Sequence, residues 1–502
     1  MTLPFGAADP VQAVRSRPLP RRSLRATGVD AGVVHRFLDV LEADPEIEPH
    51  SVMLVHGGAV VAEGWWSPYS ADRVHHLYSL SKTVTALAVG FAVAERRLTL
   101  DDRIVDHFPE FADEVGERSR AIRIRDALAM ATGHHRDMVV RAVSADPHEP
   151  VRGFLLHEPE SAPGTWFTYN QPAIYAVAAA LQRATGYTLT EYLRPRLFDP
   201  VGIGPVAWHE HPAGRSIGFS GLHATTEDVA TLGLLLLRDG RWQGRQLLPA
   251  GWVADLRRPR FIPRDPYPDW RIGYGYQVWV SRHGYRGDGA YGQFCLVLPE
   301  QDAVLVTTMG TVRTQAVLEA VWEILVPALG GARRRLPRQP RTEDHDEPLH
   351  QRLAGLRLPA SVGGPVDDRW VGVHRGTDLT VTIPEADRSG VCRTAVLHDG
   401  RVTLTVPIGT GNHWAVVEPG PCAGPGVSPV AVSGGVAASR DGTPRLRLDL
   451  AFLESPHRLY VDLHHSGPDR GVTTTWGTAP LRLTDETLLD RGARWPGAPE
   501  AR

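Results

Sequence analysis

Lysine is almost missing from this 502-residue chain: of its 54 basic residues, only Lys82 is not arginine. A chain so biased uses arginine wherever positive charge suffices, so the one lysine marks a position that arginine cannot fill. Arginine stays protonated, whereas a buried lysine can lose its proton and act as a base. Cysteine is scarce too. Cys295, Cys392 and Cys422 are odd in number and widely spaced, which excludes a disulfide framework. There is no Cys-x-x-Cys pair and no His-Glu-x-x-His, so the histidine pairs at 75–76, 134–135 and 464–465 are read as loop or surface residues. No metal or cofactor is expected. No phosphate-binding glycine loop occurs, and Gly218-Phe219-Ser220-Gly221 runs on into Leu222 instead of completing a Gly-x-Ser-x-Gly elbow. Net charge is −3 and the longest basic run is the short Arg333-Arg334-Arg335, so neither nucleic acid nor membrane is an expected partner. No apolar run is long enough to span a bilayer. The start of the chain lacks a basic segment followed by an apolar one, so the expected location is cytoplasmic. Composition sets no oligomeric state.

With 42% apolar and 22% charged residues the chain reads as globular, and its length implies two or three domains. Residues 1–27, rich in Pro and Arg, read as a loose arm. The apolar spacing of Val34, Phe37, Leu38 and Leu41 predicts a helix over 31–42. Strand-like runs over 51–55 and 60–64 meet at Gly57-Gly58, a hairpin signal. An apolar helix over 83–94 follows, then short helices and loops over 99–165 and a helix over 173–183 that stops at Gly186. Thr225-Thr226-Glu227-Asp228 caps a helix that ends at Gly240. Strands over 276–280, 294–298 and 303–308 and a helix over 314–326 close this part. The order predicts an α+β domain over 28–332, an antiparallel sheet flanked by helices with a helical subdomain inserted. Residues 333–350 read as a linker, 351–490 as a small all-β barrel or sandwich, and 491–502 as a tail. The strands expected there are 379–383, 394–398, 402–407, 414–418, 445–452 and 458–464, with turns at Asp399-Gly400 and Asp441-Gly442.

Ser79 precedes Lys82 by one helical turn, so both side chains leave the same face. A serine beside a lysine able to lose its proton is a nucleophile beside its base. The adjoining helix N-terminus favours negative charge developing there.

Tyr78-Ser79-Leu80-Ser81-Lys82 resembles the first motif of the serine β-lactamase and penicillin-binding protein superfamily, in its branch of class C β-lactamases, esterases and D-aminopeptidases. The Gly57-Gly58 hairpin, residues 98–108 (Leu-Thr-Leu-Asp-Asp-Arg-Ile-Val-Asp-His-Phe), Pro163-Gly164-Thr165-Trp166-Phe167-Thr168-Tyr169 and Asp288-Gly289-Ala290-Tyr291-Gly292-Gln293 carry the likeness over roughly 28–330. It implies a β-lactamase/transpeptidase-like domain in which Ser79 is the nucleophile and Lys82 and Tyr169 shuttle its proton. The backbone N–H groups of Ser79 and Ala290 would form the oxyanion hole. Where the family has Tyr-x-Asn, this chain has Tyr169-Asn170-Gln171. Asn170, Asp288 and His134 are the further substrate-binding candidates, and Asp137 lies in the same segment as His134. Where the family has Lys-Thr-Gly or His-x-Gly, this chain has Gly287-Asp288-Gly289, with Arg286 and His283 the nearest cations. The departure argues against a substrate held by its carboxylate. The function implied is a cofactor-free serine hydrolase acting on a small ester or amide. Two other readings stay open: an acyltransferase using the same acyl-enzyme, or a ligand-binding protein on the same fold.

Overall fold

The computed structural model describes residues 18–330, 346–385, 393–408, 411–419, 427–438, 442–466, 469–481, 488–489 and 491. Its first domain is built on six antiparallel strands: β1 (Pro49–His56), β2 (Ala59–Trp65), β3 (Trp279–Ser281), β4 (Gly284–Gly289), β5 (Gln293–Leu298) and β6 (Ala303–Met309). They lie in the order β2-β1-β6-β5-β4-β3. Side chains alternate across a strand, and β1 shows what this does here. Met53 and Val55 enter one apolar core, Val52 and Leu54 another. Because helices cover both faces, β1 is buried along its whole length, and its centre, Val52 to Val55, is a continuous apolar run. Helix α1 (Ala31–Ala43) packs on one face, and α2 (Ser81–Ala94) and α4 (Thr226–Leu237) on the other, with α3 (Gln171–Thr185) packed against α2. The Thr225 cap is real: its hydroxyl accepts from the Asp228 N–H and the Asp228 carboxylate accepts from the Thr225 N–H.

Several elements differ from expectation. Strand β4 takes the place of an expected loop, and β3 begins three residues later than the 276–280 reading because Gln277 adopts a left-handed backbone (φ 60°). Residues 18–27 are docked rather than loose. Arg21 bridges Glu63 and Glu227, and the Arg22 and Val60 N–H groups tie this segment to β2. A helix, Asp346–Ala354, occupies the end of the expected linker. The pair His75-His76 is buried, not on a loop or the surface.

The second domain is a nearly closed nine-stranded sheet: β7 (Gly372–Arg375), β8 (Thr380–Ile383), β9 (Arg393–His398), β10 (Thr403–Ile408), β11 (Gly411–Val417), β12 (Val430–Ala438), β13 (Pro444–Phe452), β14 (Arg458–Ser466) and β15 (Asp469–Thr478). Strands β7 and β15 join in parallel, and Trp370, Leu397, Val406, Leu448 and Phe452 fill the interior. β7, β12 and β15 add to the six strands expected. Residues 1–17, Cys392, Cys422, the Asp441 turn position and most of the 491–502 tail lie outside the described residues. The turn from β13 to β14 reaches back to the first domain, where the His76 N–H donates to the Glu454 carbonyl at 2.8 Å and the Tyr69 hydroxyl to the Ser455 carbonyl at 3.3 Å. No described helix is long and apolar enough to cross a membrane.

Candidate active site

Ser79 sits in a single tight turn, Tyr78–Leu80, that runs directly into α2. The mostly apolar sequence of α2 buries it from Ser81 to Ala92 and carries Lys82 inward with it. The Lys82 ammonium nitrogen lies 2.8 Å from the Ser79 hydroxyl and 2.8 Å from the Phe219 carbonyl. A carbonyl can only accept, so one Lys82 N–H is committed to Phe219. Burial brings the Lys82 pKa down from 10.5 to about 7, against the pull of Asp137 and Asp288. Near neutrality, then, a large share of Lys82 offers a lone pair to the Ser79 O–H.

Tyr169 completes the cluster. Its ring lies 4.8 Å beneath the Lys82 nitrogen, and its phenol is near enough to Ser79 to feel its side chain. Burial raises the phenol above its ordinary pKa, the Ser79 contact opposing, so it remains a proton donor. Trp279 stacks on it at 5.6 Å and Tyr274 meets it edge-on at 6.0 Å, which fixes the ring plane.

Asn170 and His134 lie beside this cluster, and their polar atoms are occupied by the protein. The Asn170 carboxamide accepts from the Met138 N–H (2.9 Å) and donates to the Thr132 hydroxyl (3.1 Å). His134 contacts the Thr132 hydroxyl and the His157 carbonyl through its two ring nitrogens. Together they hold the 132–138 loop on the start of α3. Asp137, in that loop, accepts from the Val139 and Gln171 N–H groups. The adjacent Gln171 differs: its side-chain oxygen is enclosed and has no hydrogen-bond partner among the described residues.

The strand of the third motif keeps its cation to itself. Arg286 is fully buried, pairs with Asp288 at 2.9 Å, binds the Asp269 carbonyl and the Ser281 hydroxyl, and lies over the Trp270 ring. His283 packs near Trp322. The end of the strand serves by close approach. A Cβ at Gly289 would stand 2.2 Å from the Leu77 carbonyl, so only glycine lets this backbone, with Ala290 next, lie against the Ser79 turn. Gln293 pins the Ala290 carbonyl (2.9 Å) to that of Met309 (2.7 Å). The Phe219 carbonyl and Gln293 were not singled out from sequence, and Gln171 was noted only as standing at the family's asparagine position. A backbone acceptor leaves no sequence signal, and Gln293 differs from other glutamines only by its surroundings. No three His, Cys, Asp or Glu among the described residues are placed to hold a metal ion.

The Beta-lactamase family model matches residues 37–324. The 6-aminohexanoate-dimer hydrolase of Paenarthrobacter ureafaciens is 22% identical over 327 residues, spanning 60% of this chain and 82% of its own. A solved Bacillus anthracis protein assigned as a 6-aminohexanoate-dimer hydrolase superposes with a TM-score of 0.51 at 18% identity, over 65% of this chain and 92% of that one. The structure of SurE with D-Leu aligns over 89% of this chain and 97% of that one, with a TM-score of 0.47 and 18% identity.

Proposed function

This chain belongs to the β-lactamase family of hydrolases, and we propose that it is a serine hydrolase that opens a small ester or amide through an acyl-enzyme on Ser79. The observation that carries the reading is the 2.8 Å contact between Ser79 and a fully buried Lys82 whose pKa lies near 7. Neutral Lys82 takes the Ser79 proton as the Ser79 oxygen bonds to the substrate carbonyl carbon. The carbonyl oxygen gathers the negative charge and is held by the Ser79 and Ala290 N–H groups. As the bond to the leaving group breaks, the proton passes to the departing oxygen or nitrogen by way of Lys82 and Tyr169. Water then loses a proton to the same pair, attacks the acyl carbon, and Ser79 recovers its proton as the acid departs.

The substrate class follows from charge. Arg286 is bound to Asp288, and Asp288 and Asp137 add negative potential around Lys82. A substrate carboxylate at this strand would meet a carboxylate, so esters and amides without one are favoured over β-lactams. A fluorophosphonate probe with peptide mapping tests the nucleophile: label on Ser79, abolished in Ser79→Ala, is expected. Undiminished labelling of Ser79→Ala would end the assignment. Adding amine or alcohol acceptors to a p-nitrophenyl ester assay shows whether water alone takes the acyl group.

A further inference from the structure

The residues flanking the two oxyanion donors share three properties. Tyr78 immediately precedes Ser79 and Tyr291 immediately follows Ala290. Both have left-handed backbones, φ 48° and φ 67°. Both hydroxyls are bound by the second domain. The Tyr78 hydroxyl meets His457 Nε2 at 2.8 Å and is also reached by the Leu481 N–H, while the Tyr291 hydroxyl donates to the Ala479 carbonyl. The two rings touch edge-on at 5.5 Å, with His457 edge-on to each.

A bulky residue at positive φ is strained and persists only where its surroundings over-determine it. Within the first domain, Tyr78 has His76 stacked on its ring at 4.1 Å. Its hydroxyl is anchored from the second domain by His457 and the Leu481 N–H. His457 suits that task. The Thr478 carbonyl beside Nδ1 (3.2 Å) can only accept, so Nδ1 carries the proton and Nε2 is left to accept from Tyr78. Burial holds the ring neutral, with a pKa near 3, so the tautomer survives across the working range.

Resting on the acyl-enzyme reading above, we infer that the second domain is a working part of the active site: through His457–Tyr78 and Ala479–Tyr291 it holds both oxyanion donors in register. Tyr78, Tyr291 and His457 are positioning residues. They touch no substrate and act through the backbone of Ser79 and Ala290.

The test uses the full chain with His457→Ala, Tyr78→Phe, Tyr291→Phe and His457→Gln, assayed on p-nitrophenyl acetate and on its thionoester. Sulfur is a poor acceptor for oxyanion donors, so a misaligned hole slows the oxygen ester selectively. Expected for His457→Ala and Tyr78→Phe is a fall in kcat of about tenfold or more on the oxygen ester, with KM little changed. Their thionoester rates should stay near wild type, and the double variant should be no slower than the slower single. His457→Gln, which keeps an acceptor for Tyr78 and a donor for Thr478, should recover much of the loss. Unchanged kcat in both variants, or equal losses on the two esters, would overturn the inference. Phosphonate labelling separates this from the parent reading: a wild-type chain unlabelled at Ser79 removes both, whereas labelled wild type with unaffected variants removes only the positioning role.

Discussion

A lysine whose polar contacts are the Phe219 carbonyl and the Ser79 hydroxyl has lost the hydration that would hold its charge, and its pKa near 7 follows from that exchange. The base is the neutral form, so kcat/KM on a p-nitrophenyl ester should rise with pH and reach half its plateau near pH 7. Tyr169 is pushed the other way and stays protonated, so no falling limb is expected below about pH 9. Lys82→Arg should show no rise, since its guanidinium stays charged. The same group shapes stability. Its folded pKa lies below the unfolded value of 10.5, so between about 7 and 10.5 the unfolded chain binds the extra proton and stability rises with pH. Urea unfolding at successive pH values should show wild type gaining on Lys82→Met across that window; a flat difference would contradict burial as the cause. Scarcity made Lys82 legible, and it marks Asn170 as well, one of two asparagines in the chain with Asn412. What scarcity could not show is direction: the Asn170 carboxamide points into the 132–138 loop, a fact that depends on the backbone around it.

Among the elements, those whose pattern is set by one face or one cap were legible. Helix α1 follows its apolar spacing, α4 its Thr225–Asp228 cap, and the β1–β2 hairpin its Gly57-Gly58 turn. Two of the elements missed, β4 and β12, hold glycines that serve packing. Strand β4 reads Gly-Tyr-Arg-Gly-Asp-Gly, a turn by composition, yet it pairs with β5 from Tyr285 to Gly289. In β12, Cβ atoms at Gly434 and Gly435 would stand 2.3 Å from the Arg447 carbonyl and 2.4 Å from the Gly364 carbonyl, so the pair marks close backbones, not a loop. Gly289 turns this into a prediction. Gly289→Ala puts its methyl against the Leu77 carbonyl and must move the strand end away from the Ser79 turn. Losing one oxyanion donor costs about 3–4 kcal/mol, so kcat should fall by about 100-fold or more. Circular dichroism and phosphonate labelling of Ser79 should report an intact fold and a nucleophile still in place. A variant with wild-type kcat would remove the strand from the site.

At the scale of the whole molecule, the two domains meet through buried ionisable groups, and this makes their contact sensitive to acid. Arg458 of β14 pairs with Asp449 in its own domain at 2.7 Å and reaches across to Glu48, which also contacts His50 at 3.2 Å. Burial lowers the pKa of His50, and lowers those of His75 and His76 well below the ordinary value; His457 drops to about 3. Glu48 is also lowered, since His50 and Arg458 outweigh the opposing effect of burial. The signs agree. Each histidine contributes stability that is full above pH 6.5 and fades as pH falls, because the unfolded chain takes up protons that the folded interface refuses. The Glu48 contribution fades in turn below its ordinary range near 4.5. The urea midpoint should therefore fall as pH is lowered from about 7 to 4, and His457→Gln should make that fall shallower. Arg458→Met leaves Glu48 and Asp449 buried without their cation, a change worth about 3–5 kcal/mol, and should weaken the interface even at pH 7. If His457 and Arg458 hold the domain against the nucleophile turn, acid should slow the oxygen ester more than its thionoester before it unfolds the first domain, whereas protonation of Lys82 slows both alike. Parallel measurement of kcat on the two esters, small-angle scattering and far-UV circular dichroism down the pH series decides this. An oxygen-to-thionoester ratio that changes only together with the helical signal would show that the interface plays no separate part.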